Sequence, residues 1–137
     1  MSGIKITAAD THFSRCIRMA VDWTCERCGA RGATPYGDAG VKLECCHIIG
    51  RRAAVTRWDT LNALSMCHTC HRETTENPLA FSDWIRQKWP NRWELLQEKR
   101  RAYVKNNPQT RREVAKHYLE EYKRMERTGK RDLVSWI

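Results

Sequence analysis

Apolar residues recur at three- and four-residue spacing at Phe13, Cys16, Ile17, Ala20 and Val21, with Arg15 and Arg18 off the stripe. That period predicts an amphipathic helix over residues 10–22, capped by Asp10 or Thr11, with Cys16 as plain core. The pattern then breaks. Residues 23–40 hold Cys25, Cys28 and the loop formers Gly29, Pro35, Gly37, Asp38 and Gly40. Alternation returns as Val41, Leu43 and Cys45 against Lys42 and Glu44, a short strand leading into Cys46, His47, Ile48 and Ile49. A second strand over residues 62–66 would close a hairpin around a long basic loop carrying Arg51, Arg52 and Arg57. Beyond His71 the period becomes helical: one helix opens at Asn77 and Pro78, places Phe81, Trp84, Ile85 and Trp89 on a face, and stops before Pro90. Two more are predicted over residues 93–104 and 110–127. The last has Val114, Tyr118, Tyr122 and Met125 on one face and closes at Gly129. The apolar end, Leu133, Val134, Trp136 and Ile137, can dock on this domain or on a second subunit, so a homodimer is one expectation.

At 137 residues the chain is sized for one domain, which excludes an enzyme with separate cofactor and substrate lobes. Hydrophobic residues make up 41% and there are six Trp, enough for a core despite the charge. The net charge of +9 is spread over both halves, +3 in residues 1–71 and +6 in residues 72–137, and points to a polyanionic partner. Residues 1–10 hold no signal-peptide core, and no apolar run approaches the roughly 18 residues of a membrane span, so a cytoplasmic protein with no membrane partner is expected.

Seven Cys without a secretory signal favour metal over disulfides. Cys25 with Cys28 and Cys67 with Cys70 form two Cys-x-x-Cys pairs, the four thiolates that tetrahedral Zn2+ wants. The 38 intervening residues exceed an ordinary zinc ribbon, but the insertion is the predicted hairpin, tied at both ends by the metal. A thioredoxin-like redox role fits poorly, because neither pair sits between a strand and a helix in the required way.

Between and beside these pairs stand Cys46-His47, then Asn62, then Cys70-His71. This His…Asn…His order resembles the His-Asn-His (HNH) endonucleases of the ββα-metal fold. The series Phe13 to Arg18, Cys25 to Gly29, Cys45 to Arg52, Thr56 to Asp59, Asn62, and Cys67 to Cys70 looks like the NinG/Rap group of phage recombination nucleases, over residues 10–90. The resemblance implies an α+β fold: residues 10–22 as an N-terminal helix, residues 23–90 as a small zinc-stapled ββα-metal core, and residues 91–137 as a basic helical extension of a single HNH nuclease domain. It implies His47 as the general base that activates water, Asn62 as the residue orienting the loop and that base, and His71 as a ligand of a catalytic Mg2+, Mn2+ or Zn2+. HNH enzymes usually place Asp or His before the base, where this chain has Cys46. NinG-like chains carry a Cys two before it, matching Cys45, so either Cys45 or Cys46 is the further ligand, with His68 a rival. His71 stands where many NinG-like chains have Asn. The activity implied is hydrolysis of DNA, on branched recombination intermediates such as a Holliday junction, in a phage or prophage setting.

Arg51, Arg52 and Arg57 are candidates for holding phosphate oxygens. Lys99 to Arg101, Arg111-Arg112 and Lys123-Arg124 are candidates for DNA backbone contacts. Trp58 suits the core better than stacking on a base, and His117 suits a structural role. A non-specific or nicking HNH nuclease is the nearest alternative. From another class, a zinc-knuckle DNA-binding protein without catalysis accounts for the same cysteines and charge.

Overall fold

A computed structural model describes residues 4–137. Its first helix, α1 (Ala8–Ala20), begins two residues earlier than the apolar stripe suggests. Asp10 is an N3 residue rather than the cap: its carboxylate accepts the Thr7 backbone N–H at 2.8 Å and the Thr7 hydroxyl at 3.0 Å. The helix ends in two left-handed residues, Asp22 (φ 52°) and Trp23 (φ 57°). Such a conformation costs a non-glycine residue roughly 1–2 kcal/mol. The burial of Trp23 at 5% exposure offsets that cost.

The chain then folds into a turn around Cys25 and Cys28, in which Gly29 takes φ 76°. It crosses back so closely that a Cβ on Gly32 would lie 2.1 Å from the Leu43 side chain. Strands β1 (Leu43–His47) and β2 (Ala63–Cys67) form the expected antiparallel hairpin, with Leu43 opposite Cys67 and His47 opposite Ala63. Val41 lies outside it, in a bridge to Gly32. The connecting loop holds a one-turn helix, α2 (Ala54–Arg57), and a 3-10 turn (Thr60–Asn62).

Helix α3 (His68–Glu76) starts directly at the end of β2, earlier than expected, because the Cys67 sulfur caps it by accepting the Cys70 N–H. Two helices follow with Pro at their first turns, α4 (Pro78–Lys88) and α5 (Pro90–Lys99). Pro90 therefore opens a helix where periodicity alone suggested a break, since the missing N–H is unused in a first turn. Helix α6 (Pro108–Thr128) is capped by Asn107, whose Oδ1 accepts the Thr110 N–H at 2.8 Å, and stops at Gly129 with φ 72°.

Among the described residues, six α-helices and a two-stranded sheet thus make a mixed α and β architecture. The three sequence segments share one core: Phe13 and Cys16 from α1, Leu64 and Met66 from β2, and Tyr118 and Met125 from α6 are all essentially inaccessible. The rings of Phe13 and Tyr118 meet edge to face at 4.9 Å, and the Cys16 thiol donates to the Tyr118 carbonyl. The C-terminal residues dock on their own chain. The Val134 N–H donates to Glu121 at 2.8 Å, its carbonyl accepts from His117 at 2.7 Å, and the Trp136 N–H donates to the Tyr118 hydroxyl. Among the described residues, no helix is long and apolar enough to cross a membrane.

Behind the hairpin lies a buried polar knot. The Asp10 carboxylate takes a two-pronged bond from Arg57, at 2.9 and 2.7 Å, and a third from the Trp58 indole N–H at 3.0 Å. Arg57 also donates to the Lys5 carbonyl at 2.8 Å. Arg57 is 4% exposed, so its guanidinium is not at the surface and is not the phosphate contact that its place in a basic loop suggested. Burial alone would raise the Asp10 pKa, but the hydrogen bonds from Arg57 and Thr7 outweigh it and hold the carboxyl below its ordinary value. A depressed carboxylate contributes stability that is present above its unfolded pKa and is lost as pH falls through the folded one. Acid unfolding is therefore expected to begin below about pH 4. Asp10→Asn, which leaves Arg57 buried without a counter-charge, is expected to cost about 3 kcal/mol in urea denaturation at pH 7 and to flatten that acid limb.

Candidate metal centre and hairpin groove

Cys25 and Cys28 come from the Gly29 turn, and Cys67 and Cys70 from the end of β2 and the first turn of α3. Folding brings their four sulfurs within 4.8 Å of one another. Each pair has the same local geometry, the second cysteine's N–H donating 3.5 Å to the first one's sulfur. An Arg27–Glu73 ion pair joins the first turn to α3 beside them. Burial opposes ionisation of Cys25, but backbone N–H groups led by that of Cys28 outweigh it and bring the thiol to about 7. Burial and the neighbouring thiols push Cys70 up to about 12. Four thiolates this close repel one another, and a dication relieves the repulsion. Number, element and spacing of the donors are those of a structural zinc site. Among the described residues this is the group in which three or more His, Cys, Asp or Glu donor atoms converge.

The other concentration of chemistry is a groove across β1. His47, at the end of the strand, packs on Phe13 with ring centroids 5.9 Å apart. Its Nε2 lies 2.9 Å from the Arg57 carbonyl. A carbonyl only accepts, so Nε2 carries the proton and Nδ1 keeps a lone pair. Among the described residues that lone pair has no hydrogen-bond partner. Desolvation lowers the His47 pKa, which favours the neutral ring. The residue that supplies the carbonyl is the one clamped by Asp10, so α1 fixes the imidazole through Arg57.

Asn62 is fully buried and uses its amide in three directions. Its Nδ2 donates to the carbonyls of Ile49 and Thr56 at 2.8 and 2.9 Å, and its Oδ1 accepts the Ile49 N–H at 2.7 Å. These bonds pin both ends of the loop that follows His47. Asn62→Ala strands one buried and two half-buried backbone groups, and a loss of about 2 kcal/mol in chemical denaturation is expected, with faster amide exchange in residues 48–56.

His71 and His68, on α3, reach toward the same strand. Glu44 accepts from His71 Nδ1 at 2.8 Å with one oxygen and from His68 Nδ1 at 3.0 Å with the other. A carboxylate on one ring nitrogen orients the imidazole and leaves the His71 Nε2 as the basic atom. A cavity of about 730 Å³ is lined by Glu44, Cys45, His47, Arg51, Arg52 and His71. Cys45 therefore shares the groove with His47. Cys46 points the opposite way, is 2% exposed, and lies against the Thr74 hydroxyl inside the core. Of the two cysteines left open as ligands of a catalytic metal, only Cys45 borders the groove.

Several residues prominent in the sequence are otherwise engaged. Trp58 is core at 1% exposure. Lys99 binds the buried Asp59 at 2.6 Å, and Arg124 is held by Glu121 and Asp132, which removes them from the free basic surface. Glu44 is the site residue that the sequence does not reveal. Its alternation with Leu43 and Cys45 marks a strand but gives no sign of the two histidines that α3 brings to it. A scan against protein-family models and searches of curated proteins and of solved structures find no match to this chain.

Proposed function

We propose that this protein is a metal-dependent DNA endonuclease of the HNH type, built on a zinc-stapled ββα-metal core and acting on branched DNA of a phage or prophage. The observation that carries this reading is His47: a neutral imidazole with its Nε2 proton committed to a backbone carbonyl and its Nδ1 open, on a loop pinned by Asn62, in a groove edged by arginines.

In this reading His47 Nδ1 takes a proton from a water molecule as its oxygen attacks phosphorus. The bond from phosphorus to the 3′ oxygen breaks, leaving a 5′-phosphate and a 3′ oxyanion that takes a proton from solvent to become the 3′-hydroxyl. Arg51 and Arg52 hold non-bridging phosphate oxygens. His71 Nε2 would hold a divalent cation, and among the described residues Cys45 is the further side-chain donor on the groove apart from the base His47, since both oxygens of Glu44 face histidines. One imidazole completed by water and phosphate oxygens suits Mn2+ or Zn2+ readily, and suits Mg2+ with most of its water retained. When bound, the cation stabilises negative charge on the phosphate and the departing oxygen. The four cysteines hold a separate, structural zinc.

The test is incubation of the purified protein with a synthetic four-way junction and with linear duplex of the same arm sequence, with Mg2+, Mn2+ or Zn2+ added. Cation-dependent cutting with 5′-phosphate ends, faster on the junction, is expected. Cutting at equal rates on both substrates would leave a non-specific HNH nuclease. Binding without cutting under every cation would favour a zinc-knuckle DNA-binding protein instead.

A further inference from the structure

The groove does not end at the hairpin. A second cavity of about 370 Å³ adjoins the first, and the two share Glu44, Cys45, His47 and Arg51. The added wall comes from the outer face of α1, with Thr11, Ser14 and Arg18, and from Lys42 at the start of the hairpin. Arg52 and Arg100 line the first cavity but not the second. Cationic side chains thus edge one continuous trough on both sides of His47.

The local charge balance is strongly one-sided. Among the described residues, Asp10 and Glu44 are the only acids lining either cavity. Asp10 is neutralised by Arg57, and Glu44 faces His68 and His71. None of the ion pairs formed among the described residues involves Arg18, Arg51, Arg52 or Arg100. Lys42 reaches Glu44 only at 3.8 Å and is 79% exposed. Arg18 is held in place rather than free: its Nε donates to the Ser14 carbonyl at 3.2 Å, and its guanidinium lies over the Trp23 ring at 5.6 Å. An arginine positioned by its own helix and an aromatic face, with no carboxylate partner, loses little side-chain entropy on meeting a phosphate.

We infer that α1 and the start of β1 form a second phosphate-binding arm, in which Arg18 and Lys42, with the Ser14 hydroxyl, hold the nucleic-acid backbone on the side of His47 opposite Arg52 and Arg100. The inference rests on the nuclease reading for the choice of DNA as the polyanion. It assigns α1 a role besides core packing: one strand passes along the trough, gripped on both sides of the phosphate presented to His47.

The test separates binding from cutting. Fluorescence anisotropy of a labelled DNA duplex is measured across a salt titration, in the His47→Gln background and without added divalent cation, for the parent and for R18A/K42A. Each lost phosphate contact reduces the slope of log affinity against log salt by about 0.9. The double variant is expected to reduce it by about 2 and to bind several-fold more weakly at low salt. Lys42→Ala alone, too exposed to disturb the core, is expected to remove about 1, and Arg18→Lys to restore most of the Arg18 share. A double-variant slope equal to the parent's overturns the inference, whether or not the wild type cuts DNA. A reduced slope in a protein that never cuts DNA upholds the arm and removes the nuclease reading. No salt-dependent binding by the parent overturns both.

Discussion

Stripping the metal from the four-cysteine cluster, or replacing Cys67 with Ser, is expected to unfold the protein. The cluster joins a glycine turn to the end of β2 and the start of α3, three segments that otherwise meet through short elements. Zinc binding in small thiolate sites is worth on the order of 10 kcal/mol at neutral pH. A domain's whole stability is typically about 5–15 kcal/mol, so losing the site leaves little or nothing. Cys67 also caps α3, and a Ser hydroxyl can take over that acceptor role, so Cys67→Ser reads the loss of the thiolate donor rather than of the cap. Metal analysis of the purified protein is expected to give one zinc per chain, and circular dichroism during chelation to follow its release. A metal-free protein with an unchanged melting curve would show that the four thiols are ordinary core.

In the proposed nuclease, replacing His47 is expected to lower DNA cleavage by about 10²- to 10⁴-fold, the usual contribution of a positioned general base. The choice of replacement separates chemistry from architecture. His47→Ala also removes the donor to the Arg57 carbonyl and the contact with Phe13, and so loosens the link to α1. His47→Gln keeps an N–H donor for that carbonyl while lacking a usable base. Both variants are expected to lose cleavage equally, with His47→Gln closer to wild type in thermal stability, and both to keep salt-dependent DNA binding. Retention of activity in His47→Gln would mean that the imidazole serves only as a hydrogen-bond donor.

Much of the architecture was legible because its causes are local. The alternation of Leu43 and Cys45 with Glu44 marks a strand, and Asn77-Pro78 and Gly129 mark helix ends. The displaced boundaries have local causes too, but ones with two readings: Pro90 stops one helix or starts the next, and Asp10 caps a helix or reaches back to a cap at Thr7. The pairing of the cysteines was legible because metal-ligand spacing is a chemical constraint that survives without knowledge of the path between. The least legible features depend on contacts far apart in sequence. Arg57 reads as a free cation in a basic loop until α1 brings Asp10 to it, 47 residues away. Glu44 reads as the polar half of an alternating strand until α3 places His68 and His71 on its two oxygens. Cys45 and Cys46 are neighbours in the chain, yet the pleat sends one to the groove and the other to the core, and deciding between them required the strand's face.

The most direct measurement of the central claim is a time course of supercoiled plasmid cleavage by wild type and His47→Gln at equal, saturating DNA occupancy, with Mn2+, Mg2+ or Zn2+ added. The account predicts conversion to nicked or linear product by wild type and a rate reduced at least about 100-fold in the variant, at unchanged binding and zinc content. Equal rates in the two proteins, or no cleavage by wild type under any of the three cations, would contradict it.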